Sequence, residues 1–228
     1  MTYSIINKYI STSLYPLKAT YPMTPEYVTL HNTFNDATAL NEIAYMTSNK
    51  DATSYHVAID DQYAVQAIPF NRNGWHAGDG NGDGNRKSIG IEICYSKSGG
   101  AKYKAAEANA VDYIAHLLKQ QGWAIDRVKW HRDWSGKNCP HRIIDEGRMQ
   151  SVREQIEKRL NELNTPPKEE HNVEDKEKNA RADKSFQSAQ DFVKASGISD
   201  GTYPRRQITR QEVWSMLERL NRYLDGKK

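Results

Sequence analysis

The stretch HRDWSGKNCPHR, from His131 to Arg142, concentrates side chains that can bind a metal or move protons. His131 and Cys139 offer imidazole nitrogen and thiolate sulfur, which are the ligands that zinc prefers. Ser135-Gly136 lies between them and lets the loop turn back, so that both side chains can face one ion. A catalytic zinc site takes three protein ligands and leaves the fourth position to water. This stretch therefore predicts a metal site that needs one more ligand from elsewhere in the chain.

His31 is the best candidate for the third ligand, because it ends the short β-branched run YVTLH. Sheets of α/β proteins present their sites at strand ends. The structural alternative remains open for each residue taken alone: His131 fits an ordinary loop histidine, and Cys139 fits a small buried hydrophobe. Cys94 has only apolar neighbours and is not expected to bind the metal.

Glu92 offers an acid–base group inside SIGIEICY, a nearly continuous apolar run from Ser88 to Tyr95. A carboxylate in a buried strand is costly unless it is paired or takes part in chemistry. Strand alternation places it opposite Ile91 and Ile93. A structural salt bridge is the alternative to a catalytic role.

The elements around these residues alternate between strands and helices, which predicts an α/β domain built on a central mixed sheet flanked by helices. Two of the strands meet at Asp60-Asp61, where a hairpin is expected. The predicted strands are 27–31, 54–60, 63–69, 88–95 and a short strand or loop at 128–131, and the predicted helices are 38–50, 106–122 and 146–163.

Five motifs follow one another along the chain: VTLHNTFND, SYHVAIDD, GWHAGDG, SIGIEICY and HRDWSGKNCPHR. In this order they resemble the zinc-dependent N-acetylmuramoyl-L-alanine amidases of the type 2 family. That family includes phage endolysins and is related to the peptidoglycan-recognition proteins. The resemblance runs from about Tyr27 to Leu163 and is greatest to amidases of phages that infect bacilli. It implies the fold of the family, a mixed sheet flanked by helices.

The resemblance also implies an activity, the zinc-dependent hydrolysis of the amide bond between N-acetylmuramic acid and L-alanine in peptidoglycan. Glu92 would then be the general base and Lys137 would stabilise the oxyanion. Tyr55 matches a tyrosine that some members place beside the metal, so an auxiliary catalytic role is expected. The implied zinc ligands are His31, His131 and Cys139, and the implied substrate contacts are Asn32, Trp75 and His76.

Two other classes of protein compete with this interpretation. A non-catalytic peptidoglycan-binding protein of the same fold is expected where the cysteine ligand is lost, and the presence of Cys139, Glu92 and Lys137 favours the enzyme. A Cys-His peptidase would use Cys139 as its nucleophile and would need a thiolate free of metal. Sensitivity to chelators separates the two catalytic alternatives.

The loop DGNGDGNRKS offers a calcium alternative, because Asp79, Asn81 and Asp83 have ligand-like spacing. An EF-hand loop would need a bidentate glutamate at its twelfth position, which is Gly90 here. The sequence therefore favours a glycine-rich loop at the edge of the cleft, close to substrate.

The composition of the chain limits the kinds of partner that can be expected. The chain has 228 residues, 37% of them hydrophobic and 27% charged, which is typical of a soluble globular protein. A net charge of +3 is too small to indicate nucleic acid binding, and no apolar run suggests a membrane span. The first residues do not resemble a secretory signal, which predicts a location in the host cytoplasm before release to the cell wall. The two cysteines are then expected to be reduced or metal-bound.

The sequence divides into three segments: a catalytic domain at 1–163, a linker at 164–182 and a small helical domain at 183–228. The linker is rich in charge and contains two prolines. The last segment resembles one S-layer-homology repeat, through GISDGTYP and ITRQE, with a capping box from Thr209 to Glu212. Such repeats bind secondary cell-wall polymers. One copy buries little area, so it is expected to dock on the catalytic domain or to self-associate; a plain helical hairpin is the structural alternative.

Overall fold

A computed structural model describes residues 2–165, 181–202 and 210–226. The chain divides into two compact units, Met1–Pro166 and Pro167–Lys228. Most of the predicted linker and the predicted capping residue Thr209 lie outside the described residues. In the described parts of the chain, no helix has the length and apolar character needed to cross a bilayer.

Six strands form one mixed sheet in the first unit, in the order β1-β4-β3-β5-β2-β6. The β3–β4 pair is antiparallel and the other pairs are parallel. This confirms the predicted mixed sheet and the hairpin at Asp60-Asp61. The strands are β1 Ser4–Asn7, β2 Tyr27–Asn32, β3 Val57–Ile59, β4 Tyr63–Gln66, β5 Ser88–Ile93 and β6 Val128–Trp130.

The edge strand β1 was not predicted. Its four residues, SIIN, lack the alternation that marks a half-buried strand, and three of them are exposed. It pairs in parallel with β4, over Ser4 to Asn7. The contact that makes it a strand is therefore long-range.

Seven helices belong to the first unit as described. The predicted helix at 106–122 begins earlier, at Gly100, and ends as expected before Gly122, whose φ of 68° suits glycine at a helix C-terminus. The predicted helix at 146–163 begins later, at Met149. The helices are α1 Tyr15–Lys18, α2 Ala39–Ser48, α3 Asp83–Arg86, α4 Gly100–Gln121, α5 His131–Ser135, α6 His141–Asp145 and α7 Met149–Asn164.

Asp60 ties the hairpin to helix α2. Its side chain is 2% exposed. Oδ1 accepts hydrogen bonds from the backbone N–H groups of Gln62 at 2.8 Å and Tyr63 at 2.7 Å. Oδ2 accepts from the N–H of Ala39, the first residue of α2, at 2.8 Å. One carboxylate therefore closes the turn and satisfies a helix N-terminus.

The second unit contains helices α8 (Gln187–Ala195) and α9 (Arg210–Asp225). Gln190 is buried and bridges the backbone of Ala182 and Gly201, at 2.8 Å each. Helix α9 buries none of its residues. Several large apolar side chains of this unit are exposed, namely Phe186, Phe192, Val213, Trp214, Leu217 and Leu224.

Candidate metal centre

Two neighbouring strands bring the predicted histidine ligands together. Leu30 of β2 pairs with Trp130 of β6, so the next residues lie side by side, His31 still within β2 and His131 at the start of α5. Their Nδ1 atoms lie 3.0 Å apart, and Sγ of Cys139 lies 3.7 Å from Nδ1 of His31. All three side chains are buried, and one potential ligand atom from each lies within 4.8 Å of the others. The structure thus brings the three predicted ligands to one point.

The two imidazoles are held neutral, as metal ligands must be. Burial, followed by the neighbouring rings of His76 and His131, lowers the pKa of His31 well below its usual range. Burial and then the charge of Lys137 lower the pKa of His131 to about 4. Both rings therefore offer a lone pair at neutral pH.

The thiol of Cys139 is not poised to ionise by itself. Burial, followed by the nearby carboxylate of Glu92, raises its pKa to about 12. A bound metal ion favours the thiolate, because coordination deprotonates a thiol outright. Two imidazole nitrogens and one sulfur that face the same point are ligand types that zinc takes, and three protein ligands leave a fourth position open, as in catalytic zinc sites. The residues present therefore fit zinc.

Glu92 lies beside the cluster. It pairs with His31 of β2 on one side and with Ala58 of β3 on the other. Its Oε2 is buried and has no hydrogen-bond partner among the described residues, so the alternative of a structural salt bridge does not engage this oxygen. Burial and then Glu42 raise its pKa to about 8, and Lys137 opposes the shift. An unpartnered oxygen with this pKa can take up and release a proton near neutral pH.

Lys137 is exposed, two residues before Cys139. Its charge acts on the cluster from the solvent side, since it lowers the pKa of His131 and of Glu92. An ammonium group at the rim of a buried site can meet a developing negative charge.

Tyr55 is buried, and its hydroxyl donates to Oε2 of Glu42 at 3.3 Å. Glu42 is 7% exposed, and burial raises its pKa. Sequence reasoning missed this carboxylate. A signal was present, because Glu42 shares the buried stripe of α2 with Ala39, Ile43 and Met46 at helical spacing.

The three predicted substrate contacts are placed differently from one another. Asn32 is buried and accepts from the backbone N–H of Arg142 at 3.1 Å. Trp75 is half-buried, and its Nε1 donates to Oγ1 of Thr20 at 3.3 Å. His76 is 6% exposed and contacts the predicted ligand His31. Contact of these residues with substrate stays a prediction.

Comparisons with known proteins identify the family of the chain. Residues 21–142 match the family described as N-acetylmuramoyl-L-alanine amidase. The chain is 58% identical over 162 residues to the N-acetylmuramoyl-L-alanine amidase XlyB of Bacillus subtilis, which covers 71% of this chain and 51% of that protein. It is 57% identical over 164 residues to the amidase CwlA of Bacillus subtilis, and this match covers 72% of this chain and 60% of that protein. The chain thus spans about half to three-fifths of the length of these relatives.

Solved structures of similar proteins share the fold of this chain. The solution structure of the PlyG catalytic domain superimposes with a TM-score of 0.67 at 47% identity, covering 72% of this chain and 99% of that one. The structure of PlyL superimposes with a TM-score of 0.66 at 49% identity, and the match covers 68% of this chain and 97% of that one.

Proposed function

The chain belongs to the N-acetylmuramoyl-L-alanine amidase family, and on that premise we propose that its first unit is a zinc-dependent peptidoglycan hydrolase. The bond cut joins N-acetylmuramic acid to L-alanine. The observation that carries the proposal is the buried cluster of His31, His131 and Cys139, with the unpartnered oxygen of Glu92 beside it.

The side chains around the cluster suit the reaction. Bound zinc would lower the pKa of a coordinated water to near 7. Oε2 of Glu92 takes the proton of the attacking water and passes it to the leaving nitrogen of L-alanine. The ammonium group of Lys137 stabilises the negative charge on the carbonyl oxygen. Tyr55 acts on Glu92 only indirectly. Its hydroxyl donates a hydrogen bond to Glu42, and the charge of Glu42 raises the pKa of Glu92.

The thiol-peptidase alternative is disfavoured by the site itself. A nucleophilic cysteine needs a thiolate at working pH. Burial raises the pKa of the Cys139 thiol to about 12, so an uncomplexed thiol stays protonated.

Metal analysis, combined with an assay for new L-alanine amino termini, tests the proposal. The purified protein is expected to contain one zinc per chain and to release L-alanine amino termini from peptidoglycan, and a chelator is expected to abolish this activity. Cys139→Ser should weaken zinc binding and abolish lysis. Cys94→Ser is the matched control, since Cys94 is also buried but lies outside the cluster. Stoichiometric zinc and full activity in Cys139→Ser would overturn the ligand assignment.

For the second unit, we propose binding to a secondary cell-wall polymer together with self-association. The support is the exposed apolar set on α9, where Val213, Leu217 and Leu224 stand at spacings of one and two helical turns. A unit in which few of the described residues are buried, and which carries such an exposed apolar face, gains stability from a partner surface.

A further inference from the structure

The ring of His76 lies behind the ligand His31, on the side away from the metal cluster. Its Nδ1 is 3.0 Å from Nε2 of His31, and its own Nε2 is 3.2 Å from the carbonyl oxygen of Ser88. His76 is therefore the middle member of a buried chain that runs from a backbone carbonyl to the proposed metal site.

The direction of this chain follows from its first member. A carbonyl oxygen only accepts, so Nε2 of His76 carries the proton. Nδ1 of His76 then holds the lone pair and accepts from Nε2–H of His31. The neutral ring of His31 consequently has its own lone pair on Nδ1, the atom that faces Nδ1 of His131.

The backbone around His76 is shaped to seat its ring. A Cβ on Gly90 of β5 would lie 2.6–2.8 Å from three atoms of the ring, closer than real contacts allow. A Cβ on Gly74 would lie 3.0 Å from Cδ2 of the same ring. Gly90 thus leaves, on the face of β5 that carries Glu92, the space that His76 fills.

The glycine-rich loop fixes the same residue from the other side. Oδ1 of Asn85 accepts from the backbone N–H groups of His76 at 2.7 Å and Ala77 at 2.8 Å. Asp79, which the calcium alternative would use as a ligand, accepts from the N–H groups of Gly84 at 2.7 Å and Asn85 at 3.1 Å. The carboxylate of Asp79 is thus committed to the loop backbone, and the loop holds Asn85 against His76.

We propose that His76 is a positioning residue for the metal, which fixes the ring of His31 in the tautomer and orientation that present Nδ1, and that Gly90 and the loop 79–85 form its seat. The inference rests on the proposed zinc site. Ligand histidines commonly donate their second N–H to an oxygen acceptor, and loss of that partner costs about 10- to 100-fold in metal affinity. Here His76 supplies the acceptor, and its own hydrogen bond to the carbonyl oxygen of Ser88 fixes the orientation of its ring.

Zinc affinity, measured by competition with a chromophoric chelator, tests the proposal without reference to activity. His76→Phe keeps a ring and removes both nitrogens, and should weaken zinc binding about 10- to 100-fold. His76→Asn returns an acceptor near the position of Nδ1 and should recover most of that loss. Gly90→Ala should weaken binding in the same direction, because the added methyl displaces the ring.

His56→Phe is the matched control. His56 is another fully buried histidine, whose Nδ1 accepts from the N–H of Gly90 and whose Nε2 lies 2.9 Å from the carbonyl oxygen of Arg72. It has no hydrogen bond to His31 among the described contacts. Its ring lies edge-on to that of His76, with the centroids 5.8 Å apart, and it bonds to Gly90 of the seat, so its replacement should lower thermal stability. Zinc affinity should fall by less than in His76→Phe, and His31 should keep its single tautomer, because the hydrogen bond between His76 and His31 stays in place.

Nitrogen NMR of the zinc-free protein labelled at histidine supplies a readout that a merely structural role would not move. In the wild-type protein, His31 should show a single tautomer with the proton on Nε2. In His76→Phe, the same ring should show a mixture of the two tautomers. An unchanged tautomer together with wild-type zinc affinity in His76→Phe would overturn the inference. If His76→Phe fails to fold, the zinc affinities of His76→Asn and Gly90→Ala test the inference in its place. Failure of the wild-type protein to bind zinc would instead overturn the proposed function, and the tautomer would still report on the hydrogen bond.

Discussion

At the scale of single residues, Glu92 is the side chain on which turnover in the proposed reaction depends. Its carboxylate lies beside the cluster and has no predicted role in holding the metal. Glu92→Gln is nearly isosteric, so zinc should stay bound, whereas turnover should fall about 10²- to 10⁴-fold because the proton acceptor is gone. Zinc content and the release of L-alanine termini are measured on the same sample.

Lys137→Met accompanies that variant, since it removes a charge from the rim without touching the cluster. It should also retain zinc and lower kcat, because the oxyanion loses its counter-charge. Near-normal turnover in Glu92→Gln, with zinc content verified, would count decisively against the catalytic assignment.

Buried His56 gives the fold a defined response to acid. Burial lowers its pKa to about 4, from an ordinary value of 6.5. The folded state therefore binds a proton less readily than the unfolded state, so this contribution to stability is complete above pH 6.5 and is lost as the pH falls towards 4. The pKa difference corresponds to roughly 3 kcal/mol.

Urea unfolding of the wild-type protein and of His56→Gln, at pH 7 and at pH 4.5, tests this response. The variant should be less stable at pH 7, and the gap should shrink at pH 4.5, where the wild-type protein has lost most of the benefit of a neutral His56. A gap that widens in acid would show that another group governs the acid response.

At the scale of elements, the join between the β3–β4 hairpin and helix α2 rests on Asp60. Asp60→Ala would leave three backbone N–H groups without their acceptor. The expected loss is about 2–4 kcal/mol of unfolding free energy, because hydrogen bonds to a charged acceptor are strong and buried donors are costly to leave unpaired.

Chemical denaturation measures this loss, and Gln62→Ala is the control in the same turn, since the side chain of Gln62 is exposed. The control should change stability by less than about 0.5 kcal/mol. Equal stability of the two variants would mean that the turn and the helix N-terminus find other acceptors.

At the scale of the whole molecule, the two units are expected to divide catalysis from attachment. Deletion of 165–228 should leave a folded, zinc-bound amidase that cleaves soluble fragments normally but adheres poorly to intact walls. The solved PlyG catalytic domain, which this chain covers almost completely, supports independent folding of the first unit. Several tails in one assembly would strengthen attachment by avidity.

Two measurements check the two halves of that prediction. Sedimentation of the full-length protein tests self-association, and a strict monomer would refute it. Retention on purified walls tests attachment, and equal retention of the truncated and full-length forms would show that the tail is not the anchor.

The sequence by itself determined the candidate ligands and the strands that present them. His31 and Glu92 stand in apolar runs whose periodicity identifies the strand, and strand alternation fixes the face of each side chain. The chemical types and spacing of His31, His131 and Cys139 favour a metal site, and the resemblance to the type 2 amidases supplies the expectation of zinc and the role of Glu92. These features are local, so one sequence read along its length contains them.

Only the tertiary structure decided which side chains support that site. The partners of His76 and Tyr55 are His31, 45 residues away, and Glu42, 13 residues away. Periodicity shows that a residue is buried but not what it meets, because the neighbour depends on how strands and helices pack. The edge strand β1 is a strand only through its pairing with β4. The same reason explains why the contact between His76 and the predicted ligand His31 was not foreseen, whereas contact of His76 with substrate stays a prediction.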